Sequence, residues 1–471
     1  MLGKVFKAYD IRGTYPDPLD EKKAWQIGYG SARFLLAEAR EAGETTPMMR
    51  HVVVGWDMRA SSPSLRDALC EGIKDGGASV IDVGMVDTPL VYFAINHLDC
   101  AGGIQVTASH NPPQYNGFKV SRRKAKPVGE MNGLAEIRKL AATVDEKIRG
   151  SGEGHVEKRD LWDAYATHVR SFLGLGGKTL KIVVDASNGM AGTMVPKVFG
   201  RNGEAVEGLE IVEMYFDNSK GEFVHEPNPL VEANLADLKS RVVAEGADLG
   251  VCFDGDADRL MVVDEKGQSV GCDLMTAFLA RRFLDENPGT AVVYDLRSSQ
   301  ALREEIERGG GQPVRSRVGH VFMKAALAGH GGAFGGELSG HFYFRDNFSA
   351  DSGAIALAVT LSAVAEAGRP LSGLIAPIAR YAQSGEINFE VEEKDEALEI
   401  LKDEYEARGS IDELDGVTVD CFASEGWWCN VRKSNTEPLL RLNLEAKDRE
   451  TLEKMVGEVS ELLGGSVVAG H

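Results

Sequence analysis

Cysteine, basic charge and long apolar runs are all scarce in this sequence, and each shortage excludes something. Only six cysteines occur in 471 residues, at 70, 100, 252, 272, 421 and 429, and none forms a CxxC pair. Such sparse usage points to reduced, mostly buried thiols. Lys and Arg number 52 against 72 Asp and Glu, giving a formal net charge of −20. So acidic a chain is no general nucleic-acid binder, and an anionic ligand would need a local concentration of basic groups. The most apolar segment, "AIALAVTLSAVA" at 354–365, is too short to span a bilayer and reads as a buried helix. The opening "MLGKVFKAYDIRG" has no apolar run of the signal-peptide kind. A cytoplasmic protein with no nucleic-acid or membrane partner is expected. The sequon Asn347-Phe348-Ser349 is then a chance match.

Two catalytic motifs are missing as well. Ser109 stands beside His110, but no G-x-S-x-G surrounds it. "GHGGAFGG" (329–336) follows a helical stretch and lacks the strand–turn–helix context of a dinucleotide site.

What is present is a globular chain, 43% hydrophobic and 26% charged, long enough for several domains. Three stretches share one pattern: an apolar strand, an aspartate at its end, a small polar loop, then a helix. They are "HVVVGWDMRASSPSLRDAL" (51–69), "KIVVDASNGMAGTMVPKVF" (181–199) and "AVVYDLRSSQALREEI" (291–306). Continuously apolar, β-branched strands suit a largely parallel sheet buried on both faces. Helical segments such as Leu161–Phe172 and Leu230–Glu245 alternate with them, as in α/β domains. Each unit then carries a glycine, a short strand, an unusual loop and another strand: 102–120, 249–264 and 331–344. The last ninety residues read differently, as strands "EINFEV", "VTVDCF", "WWCNVR" and "LLRLNLEA" with helices at Asp395–Arg408 and Asp448–Leu463, a small α+β domain.

The unusual loops carry the chemistry. "DGDADR" (254–259) sets Asp254, Asp256 and Asp258 at alternate positions, which in an extended segment turns all three carboxylates to one side. Crowded anions call for a hard cation such as Mg²⁺, Mn²⁺ or Ca²⁺. An EF-hand is disfavoured, because Arg259 occupies the position that needs glycine and the flanks are strand-like. A solvated acidic turn is the other reading. "VTASHNPPQYNGFKV" (106–120) is either a proline-stiffened turn or a loop whose serine carries a phosphate beside the cationic Lys119. "GELSGH" (336–341) offers Glu337 and Ser339 to sugar hydroxyls, and "RKSNTEP" (432–438) offers a dense donor set to a phosphate. The basic run "SRRKAK" (121–126) reads as a solvated face.

Taken together, "YDIRG" (9–13), "TASHNPPQYNGFK" (107–119), "DGDADR", "GELSGH" and "RKSNTEP" resemble the α-D-phosphohexomutases, most closely the phosphomannomutase/phosphoglucomutase branch, in order and approximate spacing. The resemblance implies three similar α/β domains with mixed, largely parallel sheets and a smaller C-terminal α+β domain, arranged around a central cleft at 1–155, 156–266, 267–382 and 383–471. It implies an isomerase, a monomer or weak homodimer, that interconverts hexose 1- and 6-phosphates of mannose and/or glucose through a phosphoserine and a hexose 1,6-bisphosphate. Phosphoglucosamine mutase and a metal-dependent phosphohydrolase with a phosphoserine intermediate are the alternatives. One Mg²⁺ per chain and a hexose 1,6-bisphosphate activator are the implied cofactors. Ser109 would be the phosphoserine, a Mg²⁺ ligand with Asp254, Asp256 and Asp258. Arg12, His110, Lys119 and Arg259 would surround the moving phosphoryl group, with Lys119 a candidate for proton transfer. Glu337, Ser339 and His341 would meet the sugar, and Arg432, Ser434, Asn435 and Thr436 the second phosphate. Tyr9, His320, Lys324 and Arg297 complete the implied substrate contacts, Arg297 where the family often has lysine. Ala257 replaces a common glycine at a non-ligand position.

Overall fold

The structure, a computed structural model, describes residues 2–200, 205–434 and 439–468. Its first sheet runs in the order Ile11–Thr14, Tyr115–Arg122, Gly102–Val106, His51–Trp56, Ser79–Met85, Val156–Lys158, and Lys126–Pro127 also pairs with Tyr115–Arg122. The strands from Gly102 onward in that order are parallel, whereas Tyr115–Arg122 is antiparallel to both neighbours. The valines of His51–Trp56 are fully buried, as a strand covered on both faces requires. Helices Glu21–Glu41 and Ser62–Asp75 approach closely enough that a Cβ on Gly72 would sit 2.0 Å from Trp25 O. Glycine is obligatory there.

The second sheet repeats the plan. Its order is Ser269–Val270, Leu260–Asp264, Leu249–Phe253, Leu180–Asp185, Leu209–Met214, with the last three parallel and Leu260–Asp264 turned back in a hairpin. A third parallel set joins Gln312–Ser316, Ala291–Asp295 and Phe334–Gly336. The final sheet is antiparallel throughout, in the order Ser410–Asp412, Val417–Asp420, Trp427–Lys433, Leu439–Ala446, Ala382–Glu390, Ser466–Val468. Helices Lys394–Tyr405 and Arg449–Leu463 bury Leu401, Met455 and Val459 against it.

By packing, the chain divides into two compact units, Met1–Cys272 with Ser339–Ser372, and Asp273–Leu338 with Gly373–His471. Val156–Lys158 pairs with Ser79–Met85 at the edge of the first sheet. Helix Gly353–Ala367, in the first unit, is buried along nearly its whole length, as its apolar sequence requires. All six cysteines are buried and none is in a disulfide. Among the described residues no helix is long and apolar enough to cross a membrane.

Candidate active site

The serine loop hangs from a buried ion pair. Asp57 and Arg59 follow strand His51–Trp56 and are both fully buried, with Arg59 Nε 3.0 Å from Asp57 Oδ2. Arg59 Nη2 donates to the carbonyls of Ser109 (2.8 Å) and Asn111 (2.7 Å), and Nη1 to those of Pro112 (2.7 Å) and Tyr115 (3.1 Å). A loop with two prolines lacks two amides of its own, and buried carbonyls need donors from elsewhere. Thr107 Oγ1 donates to Asp57 Oδ2 (2.7 Å) and accepts from the Ser109 amide (2.9 Å).

Ser109 itself is buried in a left-handed conformation, φ 52°. Extended backbone would send its side chain away from that of His110. The left-handed turn instead leaves Ser109 Oγ 3.4 Å from His110 Nδ1 and 3.0 Å from Asp254 Oδ2. A Cβ on Gly255 would stand 2.4 Å from Ser109 O, so the close approach of the two loops requires glycine.

The acidic loop likewise converges by turning rather than by extension. It joins Leu249–Phe253 to Leu260–Asp264 through Ala257 at φ 58°, and the carboxylate ligand atoms of Asp254, Asp256 and Asp258 lie within 4.8 Å of one another. All three are buried, which excludes the solvated turn. Burial, then Asp258 and Asp256, raise the Asp254 pKa well above the usual carboxylate range. Against burial, Lys119, His341 and Arg259 hold Asp258 well below it. Asp256 Oδ1 is buried and accepts no hydrogen bond among the described residues, and Asp258 Oδ1 is buried with His341 Nε2 3.3 Å away. A hard divalent cation fits that donor set: it would satisfy both oxygens and relieve the crowding.

Cations of the chain surround the triad. Lys119 Nζ lies 2.7 Å from Asp256 Oδ2 and 2.6 Å from Asp258 Oδ2. Burial disfavours its charge, but Asp256, Asp258 and Asp254 outweigh that and raise its pKa, so Lys119 is an ammonium. Arg259 Nε is 3.7 Å from Asp254 Oδ2, and Arg12 bonds Asn111 and Asp10. Burial, then Arg259, Arg12 and Lys119, press the His110 pKa well below its ordinary value, leaving a neutral ring. His341 Nδ1 meets Ser339 Oγ at 2.8 Å and its Nε2 stands 3.3 Å from Asp258 Oδ1, so His341 links Ser339 to the triad. Tyr9 is half-buried just before strand Ile11–Thr14.

The second unit gathers a separate set. Glu337 is buried, and its Oε1 accepts the Gly319 amide (2.8 Å) at the start of helix His320–Gly329, which also carries the buried Lys324. Arg297 forms a double bond pair with Asp295, Nη2 to Oδ2 at 2.9 Å and Nε to Oδ1 at 3.1 Å. Glu386 then joins three arginines: Arg441 at 3.0 Å, Arg432 at 3.2 Å and Arg297 at 3.4 Å. Arg432 is buried and its Nε donates to nothing among the described residues, which leaves guanidinium capacity for an anion. Burial opposes its charge on Glu386, yet Arg441, Arg297 and Arg432 hold the Glu386 pKa below normal. Ser434 follows strand Trp427–Lys433, its amide bonded to Leu439 O (2.9 Å). Asn435 and Thr436 lie outside the described residues.

Sequence reasoning missed Arg59, Arg441 and Glu386. The repeated strand-end aspartate marks Asp57 as special, but nothing in "WDMRASS" announces that the arginine points inward. Of the basic run 121–126, Arg122 pairs with Glu38 and Arg123 with Asp99, while Lys124 and Lys126 are exposed.

Comparison with known proteins agrees with this geometry. Family models described as phosphoglucomutase/phosphomannomutase alpha/beta/alpha domains I, II and III match residues 3–147, 163–267 and 272–381, and the C-terminal domain of the same family matches 386–462. A phosphomannomutase of Escherichia coli K12 is 36% identical over 94% of each chain. A protein of Xanthomonas campestris pv. campestris strain B100 named for phosphohexose mutases is 38% identical over 98% of this chain and 99% of its own. The crystal structure of a phosphoglucomutase/phosphomannomutase family protein from Burkholderia thailandensis superposes with a TM-score of 0.86 at 31% identity, covering 98% of each chain. Four matched domains, a buried serine against an acidic triad and relatives along the whole chain lead to one conclusion: the chain belongs to the phosphoglucomutase/phosphomannomutase family and is a phosphohexomutase, an isomerase.

Proposed function

We propose that the chain moves a phosphoryl group between O1 and O6 of mannose and of glucose, through phosphorylated Ser109 and a hexose 1,6-bisphosphate that turns end for end. The observation that carries this reading is the 3.0 Å contact of Ser109 Oγ with Asp254, in a buried triad that Lys119 and Arg259 also reach. In the first transfer the bond from phosphorus to Ser109 Oγ breaks as one to the free sugar hydroxyl forms, and that hydroxyl loses its proton. In the second, Ser109 Oγ takes the phosphoryl group from the other end of the bisphosphate, and the sugar oxygen regains a proton. Ser109 and His110 on one arm of the loop and Lys119 on the other are the groups near those protons.

Such transfers depend on positioning and charge neutralisation. Asp254, Asp256 and Asp258 would hold one Mg²⁺ together with an oxygen of the Ser109 phosphate, and that ion supplies positive charge to the phosphoryl oxygens. Arg12, Lys119 and Arg259 add to it. Arg297, Arg432, Ser434, Asn435 and Thr436, with His320 and Lys324, take the phosphate that does not react. Glu337, Ser339 and His341 take sugar hydroxyls, and Tyr9 completes the contacts. Mannose and glucose differ only at C2, so a grip on the hydroxyls of C3 and C4 admits both. The relatives named phosphomannomutase support the mannose reading.

The test is phosphorus NMR with Mg²⁺, a trace of glucose 1,6-bisphosphate and either mannose 1-phosphate or glucose 1-phosphate. A growing 6-phosphate signal from both sugars is expected. Accumulation of inorganic phosphate would overturn the reading in favour of a hydrolase, and a signal from one sugar alone would restrict the substrate.

A further inference from the structure

The three strand-end aspartates build the same turn three times, with the second oxygen of Asp57 and of Asp295 turned to another loop and that of Asp185 meeting His225 Nε2 at 3.1 Å. Each is fully buried and each accepts, through Oδ1, the amide two residues on: Arg59 at 3.1 Å from Asp57, Ser187 at 2.8 Å from Asp185, Arg297 at 2.9 Å from Asp295. Each turn then grips the functional loop of its own repeat. From the Asp57 turn, Oδ2 takes Thr107 Oγ1 and Arg59 takes the Ser109 carbonyl (2.8 Å). From the Asp185 turn, Ser187 Oγ donates to Phe253 O (2.6 Å) and the Met190 amide to Gly255 O (2.9 Å), which pins the residues on either side of Asp254. From the Asp295 turn, Oδ2 takes the amide of Leu338 (2.8 Å), the residue between Glu337 and Ser339. In each case the grip falls on, or next to, the residue that the proposed function needs. A turn required only to link strand to helix would not need its second oxygen or its i+2 side chain aimed at a distant loop.

The geometry points to Asp57, Asp185 and Asp295 as equivalent positioning residues, one per α/β repeat, that fix respectively the phosphoacceptor serine, the metal loop and the sugar loop. The inference rests on the assignment of those loops given above. It predicts three different lesions from three similar substitutions. Outer-shell partners of a metal or reactive group typically contribute about tenfold to a hundredfold in affinity or rate.

The experiment uses the full chain with Asp57→Asn, Asp185→Asn and Asp295→Asn, an isosteric change that keeps one acceptor oxygen and loses the other. Thr107→Val and Ser187→Ala remove the same grips without touching the aspartates, should the first set fold poorly. Three readouts are taken on each: transfer of labelled phosphate from glucose 1,6-bisphosphate to the protein, Mn²⁺ binding by electron paramagnetic resonance, and KM for the sugar phosphate. The expected pattern is diagonal, with a loss of about tenfold or more in each case. The Asp57 and Thr107 variants lose labelling rate, the Asp185 and Ser187 variants lose Mn²⁺ affinity, and the Asp295 variant raises KM with kcat little changed. Equal losses in all three readouts, tracking the folded fraction, would overturn the inference, as would variants indistinguishable from the parent. Failure of the functional reading itself is recognised separately, since the unsubstituted protein would then take up no label.

Discussion

Ser109 is aimed before any ligand arrives, because Arg59 and Thr107 fix its carbonyl and amide while its hydroxyl meets Asp254 and His110. Ser109→Ala should therefore abolish mutase turnover and protein labelling yet leave the melting temperature within a few degrees; residual turnover near the parent rate would remove the serine from its role. Asp87 offers a test by pH. Burial pushes its pKa up to about 7, although Tyr165 donates to its Oδ2 at 2.8 Å. The folded state then holds a proton that the unfolded chain releases near pH 4, so stability falls as pH rises from about 4 to 7, by a few kcal/mol at about 1.4 kcal/mol per unit. In metal-free protein, Asp87→Asn should flatten that slope, raising the melting temperature at pH 8 and leaving it unchanged at pH 4. Ala257 is a smaller case: left-handed backbone costs a non-glycine residue about 1–2 kcal/mol, and glycine returns roughly 0.4–1 kcal/mol of that through the unfolded chain. Ala257→Gly should be neutral to slightly stabilising in a denaturant titration.

At the level of elements, helix Thr88–His97 meets the metal loop at its first residue. The Thr88 amide donates to Asp256 O (3.1 Å) and its hydroxyl to Asp256 Oδ2 (2.5 Å), leaving Oδ1 as the free donor atom. Thr88→Val should weaken Mn²⁺ binding about tenfold and Thr88→Ser restore it; unchanged binding in the valine variant would mean that the triad orients itself. The elements themselves were largely legible in the sequence. Unbroken β-branched runs gave the parallel strands, and "LLRLNLEA" is the strand Leu439–Ala446 residue for residue. Edge strands Ser410–Asp412 and Ser466–Val468 are too short to carry a period and went unread. "VTVDCF" overran because Asp420 accepts the Phe422 amide and starts a short helix there. Site residues were legible as types and not as conformations: the left-handed Ser109 and Ala257 bring groups together in a way that alternation along an extended chain does not foresee. Arg59 was illegible because its partners are backbone carbonyls fifty residues away, which leave no mark on composition.

For the whole molecule, a net charge of −20 means that anions are repelled everywhere except where the fold concentrates arginine and lysine. Arg432→Ala should cost about 2 kcal/mol or more of sugar phosphate binding, read as a raised KM for every substrate. Labelling of Ser109 at saturating bisphosphate should survive it, and loss of labelling there would move Arg432 to the reacting phosphate. Glu386, set among Arg297, Arg432 and Arg441, bears on what this acidic protein ignores. A chloride ion or a monocarboxylate would bring those arginines no more charge than the side chain they already hold. A phosphate dianion brings more, and with it the oxygens to engage the unused Arg432 Nε. On the proposed assignment, a singly charged solute would have to displace Glu386 without bringing more charge than Glu386 already supplies.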